Sequence, residues 1–167
     1  MRKVCNFMIA MVAVVVLLVG CGTVSPGNNK NNNAQNVELN GSYTASDGLV
    51  FTLFKVKTTD KLESIAADNF YYTSEKGFTY ADVVISLTNT GSEEFSAIDD
   101  INAFFESTDG TKYEDVLVAV EADYLDQFAT IKPLATNKIH IGYQIPTDIT
   151  KGKAYFDFDG DLFVVDY

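Results

Sequence analysis

The chain has 167 residues, with 12 Lys+Arg against 23 Asp+Glu and a formal net charge of −11. This length allows one domain with its own hydrophobic core. The acidity, and the absence of any arginine after Arg2, argue against nucleic acid as a partner because the phosphate backbone would be repelled. Cys5 and Cys21 are the two cysteines, so the remainder of the chain has no disulfide framework and no cysteine metal site.

The first 20 residues have the parts of a bacterial export signal. Arg2 and Lys3 form a short positive region, and residues 7–19 form an apolar run without charge. Such a run fits the roughly 7–15 apolar residues of a secretory signal, whereas a membrane-spanning helix needs about 20. We therefore predict an export signal over residues 1–20, with no permanent membrane span.

The signal ends in Leu18-Val19-Gly20-Cys21, which resembles the lipobox of bacterial lipoproteins. The resemblance implies that Cys21 receives a diacylglyceryl group and that cleavage occurs between Gly20 and Cys21. A cysteine thiolate is a suitable nucleophile for thioether formation. Each buried CH₂ of a lipid contributes about 0.8 kcal/mol, so more than one acyl chain is needed for stable anchoring. The expected location is the extracellular face of the cell membrane, with the lipid as the membrane contact.

An asparagine-rich linker is expected after the lipidated cysteine, over residues 21–40. Residues 22–37 are polar and low in complexity, so they cannot bury enough surface to offset the entropy of ordering. A flexible tether of this length reaches on the order of 20 Å. Removal of the signal leaves 10 lysines and 23 acidic residues, a net charge of −13. The folded domain is then predicted over residues 41–167.

This domain is rich in aromatic and β-branched residues, which favour strands. Short runs of alternating or apolar character predict strands that are bounded by turn residues such as Asn89-Thr90-Gly91, Asp109-Gly110 and Asp159-Gly160. The predicted strands are Leu49–Lys57, Tyr80–Asn89, Ile101–Ser107, a return strand from Lys112, Lys138–Ile145, Ala154–Phe158 and Leu162–Asp166. Seven or eight short strands with little helical periodicity indicate an all-β fold, an immunoglobulin-like antiparallel β-sandwich.

Three details of this pattern are open to a structural test. In the first strand, Phe51 and Leu53 share one face, whereas Phe54 and Val56 fall on the other. Asp60 and Glu63 form a weak capping box that favours a short helix through Ala67. Residues 116–128 fit strand spacing first and helical spacing later, so we expect an irregular connection with a short helix there.

Three segments in order carry a family resemblance: residues 83–91, a strand that ends in Asn-Thr-Gly; residues 104–113, a hairpin with Asp-Gly; and residues 134–146, a strand that ends in Ile-Pro. Together they resemble the immunoglobulin-like domains of unknown function of secreted Gram-positive lipoproteins, related in fold to the mycobacterial immunoprotective secreted antigen. The resemblance implies an extracellular accessory or binding role and carries over no catalytic residue. Where members have Pro-Gly, this chain has Pro133-Leu134-Ala135.

Residues capable of acid–base or metal chemistry are few. His140 is the single histidine and alternates with isoleucines, so we place it on the polar face of a strand, because neither a nucleophile nor further metal ligands accompany it. Asp157, Asp159 and Asp161 surround one turn. We interpret them as a solvated hairpin turn, with calcium binding as the alternative. No cofactor is predicted.

The leading functional hypothesis is therefore a membrane-anchored, non-catalytic binding or interaction module. Its ligand would be an unknown protein or glycan, for which residues 70–72 (Phe-Tyr-Tyr) offer an exposed aromatic patch if they do not pack in the core. The second hypothesis is an envelope stress or inhibitor-type lipoprotein that acts on a partner protein. The third is a cell-wall hydrolase, which the missing catalytic constellation disfavours.

Overall fold

The computed structural model describes residues 33–64, 70–121 and 130–167. The predicted signal, its cleavage site at Gly20 and the lipidation site at Cys21 lie outside these residues. Within them, no helix is long and apolar enough to cross a membrane. The strands are β1 Gln35–Asn36, β2 Ser42–Thr44, β3 Leu49–Thr59, β4 Lys61–Ser64, β5 Phe70–Thr73, β6 Phe78–Asn89, β7 Phe95–Ser96, β8 Ile101–Ser107, β9 Lys112–Tyr113, β10 Val116–Glu121, β11 Thr130–Ile131, β12 Thr136–Pro146, β13 Gly152–Phe158 and β14 Asp161–Asp166. The described helices are a 3-10 turn over Ser46–Gly48 and one short α-helix, α1, over Ala97–Asp100.

The strands form two five-stranded sheets and two small pairs. The first sheet has the order β1-β14-β13-β8-β9 and the second has the order β10-β12-β6-β3-β2; β11 pairs with β7, and β4 pairs with β5. Every pairing is antiparallel except the short parallel contact of β1 with β14. The predicted all-β sandwich is confirmed, and several two-residue strands raise the strand number above seven or eight.

A single aromatic core joins the two sheets. Phe51 of β3 contacts Phe163 of β14 edge-on, with ring centroids 4.8 Å apart, and Phe156 of β13 at 5.5 Å. These rings belong to one cluster of buried apolar residues drawn from both sheets. Because alternate residues of a strand point to opposite faces, one face of each sheet supplies this core. Full burial of each such ring contributes about 1.5–3 kcal/mol.

The N-terminal segment begins the fold earlier than predicted. Gln35 and Asn36 pair with β14, and the amide of Val37 donates to the carbonyl of Val164 at 2.8 Å. Val37 is buried, and the amide of Asn40 donates to the carbonyl of Leu53. Residues 35–40 therefore belong to the sandwich, and the predicted linker boundary at residue 40 lies too far along the chain. Backbone pairing and one valine stabilise a segment whose composition alone suggested a tether.

A β-bulge divides β3 and changes the predicted facing of its residues. The pairing with β6 shifts between Leu53 and Lys55. Phe54 consequently projects outward, 56% exposed, whereas Val56 packs against the core. The prediction that Phe54 and Val56 share a face is wrong because a bulge inserts one residue and reverses the alternation beyond it.

The helix predicted from Asp60 is also wrong in the described residues. Lys61–Ser64 is strand β4, paired with β5, and the carboxylate of Asp60 accepts a hydrogen bond from the Thr79 hydroxyl at 3.0 Å. Val116–Glu121 is strand β10, paired with β12, which agrees with the strand spacing at the start of that segment and replaces the irregular connection expected there. The later parts of both predictions, through Ala67 and through Phe128, lie outside the described residues.

Several turns use the left-handed backbone region, and three of them lie at positions that the sequence singled out. Gly110 has φ +86°, as its Asp-Gly turn predicted. Asp159 and Gly160 have φ +48° and +93°, which suits a two-residue hairpin. Leu134 has φ +64° where the resembling family has glycine. The turn geometry is thus the one that glycine would favour, although the residue is leucine.

Candidate functional site

A cluster of charged side chains crosses the outer face of the second sheet. The strand register places Lys138 of β12 beside Glu121 of β10, and Lys57 of β3 beside Asp82 of β6. His140 lies between these pairs, since it is opposite Val84 of β6 and Ala119 of β10. Four strands therefore contribute one polar group or more. We call this set the His140 cluster: Lys57, Asp82, Glu121, Lys138 and His140.

Hydrogen bonds and ion pairs connect the members in a continuous row. Nδ1 of His140 lies 2.9 Å from Oδ2 of Asp82, and Nε2 lies 2.9 Å from Oε1 of Glu121. Lys57 reaches Oδ2 of Asp82 at 3.3 Å, and Lys138 reaches Oε2 of Glu121 at 2.9 Å. Cations and carboxylates alternate along this row. Such pairing is what buried charges require in order to offset their lost hydration.

The centre of the cluster is withdrawn from solvent. His140 is 6% exposed and Asp82 is 0% exposed. The hairpin of β4 and β5 lies over this face: Leu62 is fully buried and rests against Gly142, two residues from His140 in the same strand. A side chain at residue 142 would overlap Leu62, so the glycine allows the hairpin to approach the sheet.

The charge states follow from this geometry. Burial alone would lower the pKa of His140, but the hydrogen bonds with Asp82 and Glu121 outweigh it and raise the pKa. Burial alone would raise the pKa of Glu121, but the hydrogen bonds from His140 and Lys138 outweigh it and lower the pKa. Each ring nitrogen faces a carboxylate, which only accepts, so the doubly protonated imidazolium satisfies both contacts.

This arrangement leaves the histidine without a free nitrogen. A general base needs an unengaged lone pair near a substrate proton, whereas both nitrogens of His140 are occupied by carboxylates inside the sheet. The prediction that His140 lies on the polar face of its strand is correct, but this face is shielded from solvent at His140.

Sequence reasoning missed Asp82 and Glu121. The one available signal was an acid within the apolar run of β6, which is unusual in a buried strand.

The predicted calcium candidates have separate partners. Asp157 accepts from the amide of Gly160 at 3.0 Å, as in an ordinary turn. Asp161 accepts from both the amide and the hydroxyl of Ser46, at 2.6 and 2.5 Å. Asp159 instead lines a groove at the end of the sandwich. In the described part of the chain, no three His, Cys, Asp or Glu side chains converge in a way that could hold a metal ion.

That groove is acidic and lies among the loops at one end of the sandwich. Its wall includes Glu93, Glu94, Asp99, Asp100 and Asp159. Two of these carboxylates are used by α1, since the Ser96 hydroxyl donates to Asp99 at 2.7 Å and the Ser96 amide donates to Asp100 at 3.0 Å. They act as ordinary helix-start contacts.

The predicted aromatic patch is described only in part. Tyr72 of β5 is 36% exposed and lies on the hairpin whose Leu62 packs on Gly142 of the second sheet. The side chains of Phe70 and Tyr71 lie outside the description. The exposed aromatic patch therefore stays a prediction, because only one of its three side chains is described.

Comparison with known proteins gives the fold and little more. No family model matches the chain, and no curated protein matches it. An uncharacterized β-sandwich protein from Clostridium difficile 630 is similar in structure, with a TM-score of 0.67 and 20% identity over 84% of this chain and 98% of that chain. The secreted protein MPT63 from Mycobacterium tuberculosis gives a TM-score of 0.48 and 11% identity, over 82% of this chain and 98% of that chain.

Proposed function

We propose that this protein is a lipid-anchored, extracellular binding module without catalytic activity of its own. The observation that carries the proposal is the combination of the lipobox before Cys21 with a sandwich whose single histidine has both ring nitrogens engaged by carboxylates. The first feature supports attachment outside the cell. The second leaves the single imidazole without a free nitrogen for general acid–base catalysis, and so favours binding over hydrolysis.

The anchoring half of the proposal is tested at the cysteine. The full chain is expressed in a bacterial host with its own signal and labelled with radioactive palmitate. We expect label and membrane association in the wild type and loss of both in Cys21→Ser. Cys5→Ser is the matched control, because Cys5 lies within the predicted signal and should leave both unchanged. Label that persists in Cys21→Ser would reject the anchor.

The binding half is tested by capture from the cell envelope. The detergent-solubilised full chain is used as bait, and a chain unfolded in urea serves as control. Specific enrichment of an extracellular protein or glycan supports a binding module, and enrichment of an envelope enzyme would favour the inhibitor hypothesis. Turnover of cell-wall fragments by the purified wild type, lost on denaturation, would instead support the hydrolase hypothesis and overturn the proposal.

A further inference from the structure

Among the described residues, the outer edge of β3 has a hydrogen-bonded neighbour along its first half and none along its second. Before the bulge, β2 pairs with Val50–Thr52, and the backbone of Leu53 exchanges hydrogen bonds with Asn40 and Gly41. Beyond the bulge, residues 55–59 pair with β6 on one side alone. The N-terminal segment thus covers the edge only as far as Leu53.

The backbone groups of the second half can be assigned to sides. The amide of Asn89, at the end of β6, donates to the carbonyl of Ala135, which lies on the β12 side. Because backbone groups alternate along a strand, the N–H and C=O groups of the even-numbered residues of β6, from Thr88 to Tyr80, point toward β3. Beyond the bulge, their partners are Lys55, Lys57 and Thr59. Alternation then directs the N–H and C=O groups of Val56 and Thr58 outward. No described residue hydrogen-bonds to them.

A groove with an apolar floor runs beside this edge, between the two sheets. Leu53, Val56 and Val165 line it, and the exposed Leu39 lies at its rim. The acidic residues Glu38 and Asp166 also border this groove. At the far end, the hydroxyls of Thr58 and Tyr167 meet at 2.6 Å. The space between suits an extended segment of a few residues that alternates apolar side chains toward the floor.

The outer side of the edge is basic in an otherwise acidic protein. Lys55 and Lys57 project from the same face of β3, because Lys57 reaches Asp82 and Lys55 lies two residues before it. Lys55 is exposed, and no described carboxylate pairs with it. A strand added at this edge would place every second side chain next to these lysines, where acidic residues are favoured.

We propose that residues 55–58 of β3, which we call the free edge, receive an extended segment of a partner protein by β-strand addition. The segment alternates apolar residues, which enter the groove, with acidic residues, which face Lys55 and Lys57. Backbone hydrogen bonds to Val56 and Thr58 give affinity, and the alternating side chains give specificity. The inference rests on the proposed binding role and names its surface and the chemistry of its partner.

The test uses three fluorescent eight-residue peptides and the full chain in detergent. One peptide alternates valine and glutamate, the second alternates valine and lysine, and the third is the glutamate peptide with alternate amide nitrogens methylated. We expect the glutamate peptide to bind, as measured by fluorescence anisotropy, and the other two to bind at least about tenfold more weakly, which is roughly 1.4 kcal/mol. Hydrogen exchange should slow at residues 55–58.

Two variants and one control locate the effect. Val56→Pro removes an outward N–H without touching the ladder to β6 and should abolish binding with an unchanged circular dichroism spectrum. Lys55→Glu should reverse the preference from the glutamate to the lysine peptide. This second variant tests the proposal even if the proline variant misfolds. Lys132→Glu is the matched control, because Lys132 is exposed on a different loop, and should bind like the wild type.

Equal binding of the glutamate and lysine peptides, no binding by any peptide, or protection elsewhere in the chain would overturn the free edge as the binding surface. The proposed function fails separately. If the wild type, Val56→Pro and Lys55→Glu capture the same partner equally well, the proposed binding role stands and the free edge is rejected as its surface.

Discussion

The side chain of Leu62 packs directly on the α-carbon of Gly142, and this contact seats the β4–β5 hairpin on the second sheet. We predict that Gly142→Ala destabilises the protein by about 1–3 kcal/mol, because a methyl group would overlap a fully buried leucine. Urea unfolding at constant m-value measures the change. In the background of Leu62→Ala, the added methyl should cost much less. Equal costs in both backgrounds would contradict the contact.

A second prediction concerns Leu134, which has φ +64° and is 82% exposed. A left-handed conformation costs an L-residue about 1–2 kcal/mol, and an exposed leucine returns little packing energy. Leu134→Gly should therefore stabilise the protein by about 0.5–1 kcal/mol after allowing for the greater freedom of glycine when unfolded. Thermal and urea unfolding both report this change. Leu39→Gly is the control: Leu39 is also exposed but does not have positive φ, so that substitution should destabilise.

Features encoded within a few neighbouring residues could be predicted from the sequence. The alternation in β6 and β12 identified both long strands, and Asp-Gly identified the turns at Gly110 and Gly160 because glycine tolerates positive φ. Ile101–Ser107 was predicted with its observed bounds.

Features that depend on distant partners could not be predicted. The capping pattern at Asp60 was misleading because Thr79, from another strand, takes its carboxylate. The covering of Gly142, two residues from His140 in the same strand, depends on Leu62 of a hairpin that the sequence did not predict. The order of residues 35–40 depends on β14, at the opposite end of the chain. In each case tertiary contacts override local propensity.

A third prediction concerns Asn89 in the Asn-Thr-Gly element at the end of β6. The buried amide group of Asn89 donates to the carbonyls of Glu93 and Ile131 at 2.7 and 2.9 Å, and its oxygen accepts from the amide of Gly91 at 2.9 Å. Asn89→Ala should cost about 2–3 kcal/mol in the free energy of unfolding, since buried polar groups lose their partners. Asn102→Ala, at an exposed strand position, should change it by less than about 0.5 kcal/mol. Similar losses in both variants would argue against the network.

The last prediction concerns pH. The pKa of His140 is raised above 6.5 by its two carboxylate partners, although burial opposes them. A raised folded pKa means that this stabilisation is fully present below about pH 6.5 and is lost as the pH rises through the folded pKa. The pKa of Glu121 is lowered from 4.5, so its contribution is present above about pH 4.5 and is lost as the pH falls through the folded pKa. The His140 cluster should therefore stabilise the folded protein most between about pH 4.5 and about pH 6.5.

The measurement is the free energy of unfolding in urea from about pH 6 to about pH 8, where the single histidine is the side chain that normally titrates. We expect the wild type to lose stability across this range. His140→Gln should be less stable at the lower pH and nearly independent of pH, because glutamine cannot become a cation. Glu121→Gln should keep a smaller slope in the same direction, since Asp82 still pairs with the imidazolium. A wild-type stability that rises with pH would show that the folded protein favours neutral His140, and a flat curve would show that the pKa of His140 is not raised; either result would contradict the alternating charge row.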